Sequence, residues 1–181
     1  MNNPYYNLYK ANSHSHSMRK SLVSRFAWAV PDNTAIKMIC EYSPIIEIGA
    51  GTGYWASLIS EQGAKIICFD KFLSDNTYGH KKQYIPINSG DHTVLEKFSP
   101  KMTLFLCWPP CDEDMAYDCI KAFKGKYFIY IGEGPYGCTG DDKFHEELEN
   151  NWNWLNSHDI PQWSGMHDEL NIYKRKGIYH V

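Results

Sequence analysis

The 181-residue sequence has no apolar run near the roughly 20 residues that a membrane-spanning helix needs. Its N-terminus is polar and tyrosine-rich, without the apolar core of a secretory leader, so none is expected. It lacks a basic excess: 18 Lys and Arg against 21 Asp and Glu leave a net charge of −3, which gives no footprint for nucleic acid. His80, Lys81 and Lys82 are adjacent, but three residues are weak evidence for a basic patch and read as a solvated loop. No Cys-x-x-Cys pair occurs among the six cysteines, so neither a zinc ribbon nor a dithiol redox motif is encoded. Cys107 and Cys111 are separated by two prolines and have no second pair, which disfavours a zinc site; His14 and His16 alone are equally weak as metal ligands. The cysteines therefore read as reduced thiols of a cytoplasmic protein, and no metal is expected. There are no internal repeats and no low-complexity linker.

What the chain does contain is aromatic and apolar residues enough for one core, with thirteen Tyr, eight Phe and six Trp. A single domain over 1–181 is expected. Residues 1–17, rich in Asn, Ser, Tyr and His, read as a flexible arm or lid. Residues 18–41 read as a helical preamble: Met18, Leu22, Val23, Phe26, Ala27 and Val30 recur at helical intervals up to Pro31, and Asp32 or Asn33 caps a second helix from Thr34 to Glu41. The link around Trp28 would lie near the turn described next if this preamble packs over it.

Residues 45–181 read as the sheet core. Ile45-Ile46-Glu47-Ile48 is a short apolar strand with one acidic residue, followed by Gly49-Ala50-Gly51-Thr52-Gly53 and a helix from Tyr54 to Gln62. A strand that stops at a glycine turn and restarts as a helix is the nucleotide-binding corner of a doubly wound α/β sheet. The spacing is G-x-G-x-G, not the G-x-G-x-x-G of dinucleotide enzymes. A second strand, Lys65 to Phe69, ends at Asp70, where a carboxylate can accept hydrogen bonds from both hydroxyls of a ribose. A third, Tyr84 to Ile87, leads to Gly90-Asp91; Asp91 either neighbours an adenine or caps the short helix from Thr93 to Phe98.

The fourth strand, Met102 to Cys107, ends at Trp108-Pro109-Pro110-Cys111, a stiff corner suited to holding a substrate. Asp112, Glu113 and Asp114 open the next helix, with capping their default role and a catalytic one for Asp112 the alternative. A fifth strand, Lys126 to Gly132, runs into the glycine-rich loop of Glu133 to Gly140, and Glu133 is a candidate site residue. A helix from Asp141 to Leu155 and short strands over 162–164, 170–174 and 177–180 complete the pattern. The fold class is therefore α/β, a Rossmann-like doubly wound sheet, mostly parallel, closed by a C-terminal antiparallel hairpin.

Taken in order, Glu47-x-Gly49-x-Gly51-x-Gly53, Asp70, Gly90-Asp91 and the Pro-Pro corner resemble the class I S-adenosylmethionine-dependent methyltransferases over roughly 45–131. The resemblance implies S-adenosyl-L-methionine as cofactor. Glu47, Gly49, Ala50, Gly51 and Gly53 would then line its methionine part, Asp70 its ribose and Asp91 its adenine. Tyr54, Trp55, Trp108 and Tyr136 are candidates for cation–π contact with the sulfonium. Trp108, Asp112 and Glu133 are the candidates on the acceptor side. Amino-group methyltransferases carry Asp, Asn or Ser before Pro-Pro and an aromatic after it; Trp108 and Cys111 stand there instead, which argues against a nucleobase or amide amino group. The acceptor, whether small molecule, protein or RNA, is not encoded in any pattern. Two other readings remain: a non-catalytic cofactor-binding module that regulates a partner, and a nicotinamide-dependent dehydrogenase, against which the glycine spacing counts.

Overall fold

The structure is a computed structural model that describes residues 2–73 and 82–177. Three helices precede the sheet. The first, α1 (Pro4–Asn12), starts where Asn3 accepts the Tyr6 amide and Pro4 supplies a preset first turn. The second, α2 (His16–Arg25), is capped by Ser15, and α3 (Asn33–Cys40) by Asp32, whose carboxylate accepts the Ala35 amide at 2.8 Å. The core then alternates: β1 (Ile45–Ile48), α4 (Tyr54–Glu61), β2 (Ile66–Asp70), β3 (Asn88–Ser89), a 3₁₀ turn over His92–Lys97, β4 (Thr103–Cys107), α5 (Met115–Ala122), β5 (Tyr127–Gly132), α6 (Asp142–Asn151), β6 (Trp152–Asp159) and β7 (Glu169–Arg175).

The seven strands form one sheet in the order β3-β2-β1-β4-β5-β7-β6. The first five are parallel, and β7 runs antiparallel to both β5 and β6. The expected mostly parallel sheet with a C-terminal antiparallel hairpin is what the chain adopts. Alternation along the strands divides the core into two layers. Ile45, Phe105, Ile129 and Ile172 face a cluster with α1 to α4, including Tyr5, Phe26, Ile36 and Trp55. Ile46, Leu104, Phe128 and Tyr130 face the other side, with Cys119, Ile120, Phe144 and Leu148 from α5 and α6.

The largest departure from expectation is at the start. Residues 2–17 are not a loose arm: α1 docks, and Tyr5 is fully buried, stacked on Phe26 at 5.0 Å with its hydroxyl accepting the Trp163 indole N–H at 3.2 Å. Asn3, also buried, donates to the Pro31 carbonyl and accepts the Tyr54 hydroxyl. A polar composition concealed this because Tyr5 finds its partners 21 to 158 residues away.

Other differences are local. The preamble helix ends at Arg25 rather than Val30, so residues 26–32 form an irregular link and Trp28 is not helical. Tyr84 to Ile87 is not a strand, because Pro86 lacks the amide a ladder needs. That segment instead crosses the glycine turn, with the Tyr84 amide bonded to the Thr52 carbonyl. The last helix stops at Asn151, and Trp152 opens a strand. Trp152 packs in the same layer as Phe144 and Leu148, so the four-residue spacing that suggested one helix reflects a shared core. Residues 162–164 form no strand, and 178–180 of the expected last strand, like His80 and Lys81, lie outside the described residues.

Replacing a fully buried aromatic leaves a cavity. Tyr5→Ala is expected to cost about 3–5 kcal/mol in urea unfolding. A change below about 0.5 kcal/mol would restore the flexible-arm reading.

Candidate active site

The turn after β1 is left-handed at each glycine, with φ of 76° at Gly49, 56° at Gly51 and 69° at Gly53. At Gly53 a Cβ would lie 2.7 Å from Ile85 Cγ2, so both the conformation and the space call for glycine. The Gly49 and Ala50 amides donate to the Phe69 carbonyl at 2.9 and 3.1 Å, tying the turn to β2. Asp70, only 8 % exposed at the tip of β2, completes the tie: Oδ2 accepts the Gly51 amide and Oδ1 the Phe72 amide, each at 2.8 Å. Each carboxylate oxygen keeps a second acceptor site.

A cavity of about 410 Å³ opens at this carboxyl edge of the sheet. Gly49, Gly51, Asp70, Asp91, Trp108 and Asp112 all line it, so the structure brings these six expected residues together. Asp91 caps the 3₁₀ turn as well, accepting the amide and the hydroxyl of Thr93 at 3.0 and 2.6 Å; those bonds hold its carboxyl below the usual range. A smaller cavity of about 30 Å³ under the turn is lined by Glu47, Ala50, Tyr54 and Trp55 and shares Gly49, Gly51, Trp28 and Cys107 with the larger one.

Glu47 is 2 % exposed, and its Oε2 has no hydrogen-bond partner among the described residues. Burial pushes its carboxyl up to about 8, against a smaller opposite effect of a hydrogen bond with Cys68.

Trp108 has φ 56°, a strained conformation for a bulky residue. Three contacts hold it there. Its amide donates to the Ile131 carbonyl at 2.8 Å. Its indole N–H donates to Asp168 Oδ1 at 2.6 Å, and its ring stacks on Trp28 with centroids 4.8 Å apart and planes 8° from parallel. Asp168 is 1 % exposed, and burial raises its carboxyl to about 6 although the indole bond favours the charge.

No protein-family model matches the chain, and no curated protein sequence matches it significantly. Solved structures do. A TehB-like S-adenosylmethionine-dependent methyltransferase from Corynebacterium glutamicum aligns over 92 % of this chain and 100 % of its own, at 16 % identity and a TM-score of 0.52. The methyltransferase domain of bacterial CtHen1-C aligns over 80 % and 96 %, at 10 % identity and 0.53. The glycopeptide N-methyltransferase MtfA, solved with S-adenosyl-L-homocysteine, aligns over 81 % and 91 %, at 9 % identity and 0.50. The fold is that of the class I methyltransferases.

Within this methyltransferase fold several expected residues fall outside the main cavity. Glu133 does not line it. Its Oε2 accepts the Cys138 amide at 2.7 Å and its Oε1 the His167 amide at 2.8 Å. Burial opposes its charge, but these bonds outweigh burial and hold the carboxyl below its usual range. It is a latch for the loop over 133–140. Tyr54 turns its hydroxyl to Asn3, and Trp55 donates to the Ala29 carbonyl, so both rings pack against the preamble. Tyr136 projects into solvent, 97 % exposed. Gly53 lies buried below Ile85 and Ile87.

The sequence pointed to Trp28 only as a neighbour of the corner, and to Asp168 not at all. Asp168 lies 60 residues from the indole it holds, on the connection between β6 and β7, with no motif around it. Met115 and His92, also on the cavity wall, carried no signal beyond helix patterning.

The buried Glu47 has a pH signature. It ionises near 4.5 in the unfolded chain and near 8 in the folded one. Between those values the folded state keeps a proton that the unfolded state has released. Stability therefore falls as pH rises through the window, by at most about 1.4 kcal/mol per unit, and levels off above it. Glu47→Gln removes this component, so urea unfolding from pH 5 to 8 should show the variant gaining on the parent as pH rises. A difference that does not change with pH would contradict the raised carboxyl.

Proposed function

We propose that the protein is an S-adenosylmethionine-dependent methyltransferase. The observation that carries this reading is Asp70, a buried carboxylate that pins the glycine turn and faces the large cavity with acceptor capacity to spare. That capacity suits the two ribose hydroxyls of the cofactor. The residues around it fit the rest. The left-handed turn leaves room for close approach to the backbone, Asp91 lies on the wall where the adenine would sit, and the unpartnered Glu47 oxygen suits the ammonium of the methionine part.

When bound, the cofactor supplies an electrophilic sulfonium methyl group. The chain's own contribution is placement, since in-line displacement depends on bringing a lone pair behind that carbon more than on acid–base chemistry. Trp28 and Trp108 give the cavity an indole wall, which attracts a sulfonium through the ring quadrupole. Asp112, exposed on the same wall, is the carboxylate available to orient an acceptor; Glu133, committed to two amides, is not. A planar amino acceptor is disfavoured. Trp108 offers a donor that Asp168 already takes, and the Pro109 carbonyl accepts the Gly140 amide at 3.0 Å.

Calorimetry with S-adenosylmethionine, S-adenosylhomocysteine and nicotinamide cofactors tests the reading. Heat is expected with the first two alone, and its absence would end the proposal. Asp70→Ala should weaken binding by about 1–3 kcal/mol, because a buried hydrogen-bonding carboxylate is lost. Unchanged affinity would remove Asp70 from the ribose.

A further inference from the structure

Three cysteines, Cys107, Cys111 and Cys138, line the large cavity, and the proposed methyl transfer uses none of them. Two of them come together. Pro110 and Thr139 form an antiparallel bridge between the Pro-Pro corner and the loop over 133–140, reinforced by the Gly140 amide on the Pro109 carbonyl. One step along that bridge in opposite directions lie Cys111 and Cys138, the next pair if the antiparallel register of Pro110 and Thr139 is extended. Facing residues in an antiparallel pair have Cα atoms about 4.5–5.5 Å apart and side chains on one face. A disulfide needs about 4.4–6.8 Å. Both thiols are free and exposed, and the two are close enough to interact electrostatically.

Their backbones are also fixed. Cys111 follows two prolines. The Cys138 amide is held by Glu133, and its neighbour Thr139 is fully buried, with its hydroxyl 2.6 Å from that of Tyr130. The two sulfurs are thus presented by stiff segments, and joining them asks little of the surrounding chain.

We propose that Cys111 and Cys138 form a reversible disulfide by exchange with a small disulfide, locking the loop over 133–140 to the Pro-Pro corner and fixing one wall of the cavity. The Cys111 thiolate attacks one sulfur of the small disulfide RSSR, forming a mixed disulfide and releasing RSH once protonated. The Cys138 thiolate then attacks the Cys111 sulfur and releases the second RSH. Two protein thiols and RSSR become one protein disulfide and two RSH. Two electrons and two protons pass to the small molecule. Cys111 is the attacking thiol because burial and the nearby Glu133 raise the Cys138 thiol.

The test uses the native protein incubated with oxidised glutathione. Remaining thiols are alkylated with iodoacetamide, the chain is digested without reductant, and peptides are mapped by mass spectrometry. Lys121, Lys124 and Lys126 put the two cysteines in different tryptic peptides, and fragment spectra distinguish Cys111 from Cys107 and Cys119. A Cys111–Cys138 cross-link is expected, reversed by dithiothreitol, with a rise in Tm of about 5 °C on oxidation. Cys111→Ser and Cys138→Ser should each abolish the cross-link and the rise while keeping the Tm of the reduced parent. A chain with both thiols alkylated, one halted at a mixed disulfide, or one that pairs them only in urea would overturn the proposal. No arm depends on cofactor or methyl transfer, so the result stands apart from the proposed function.

Discussion

The site depends on one carboxylate. A parallel sheet whose strands end together leaves the amides of the first turn without ladder partners, and Asp70 supplies one from the neighbouring strand. With the Phe69 carbonyl holding Gly49 and Ala50, the turn after β1 is tied to the end of β2 before α4 begins. The consequences run outward. The turn presents the Thr52 hydroxyl, which donates to the Phe26 carbonyl, and so fixes the link that carries Trp28. Trp28 stacks on Trp108, and Asp168 anchors Trp108 from the last connection in the chain. Loss of the carboxylate would leave the Gly51 and Phe72 amides without this partner.

Aromatic contacts do the corresponding work on the preamble side. Tyr5, Phe26, Tyr54 and Tyr84 form a continuous set of ring contacts at 4.8–6.1 Å, bringing together α1, the link after α2, the start of α4 and the segment crossing the glycine turn. Three helices that pack on only one face of a sheet would expose much of their apolar surface; these rings give them a shared interior. They also place the preamble against the turn without any residue of α1 to α3 lining the large cavity.

What the sequence made legible was local. The glycine turn, the tips of β1, β2 and β4, and the antiparallel ending all follow from spacings within about twenty residues, where chain geometry leaves few alternatives. What it concealed was set by partners far away. A polar N-terminal segment folds because of Tyr5, and a helix-like repeat breaks at Trp152 because both halves serve one core. The same divide runs through the site. The place of Asp70 was readable, at a strand end beside the glycine turn; its bonds to the Gly51 and Phe72 amides were not. Glu133 was misleading for the same reason: it too stands just past a strand, yet the amides it meets come from Cys138 and His167 in the folded loop. Asp168 was silent because an indole brought in from elsewhere defines it.

The hairpin that closes the sheet has a consequence beyond the site. β6, eight residues long, is the outer strand at this end of the sheet, and among the described residues it pairs with β7 alone. Such an edge is a template on which a second chain can add a strand and start an aggregate. Between Trp154 and Asn156 the pairing slips, so the outward-facing amides and carbonyls lose their regular spacing halfway along. An incoming strand matched to the first half is out of register with the second. The irregularity thus makes the edge a poorer template for an added strand, while Trp154 and Leu155 remain exposed beside it.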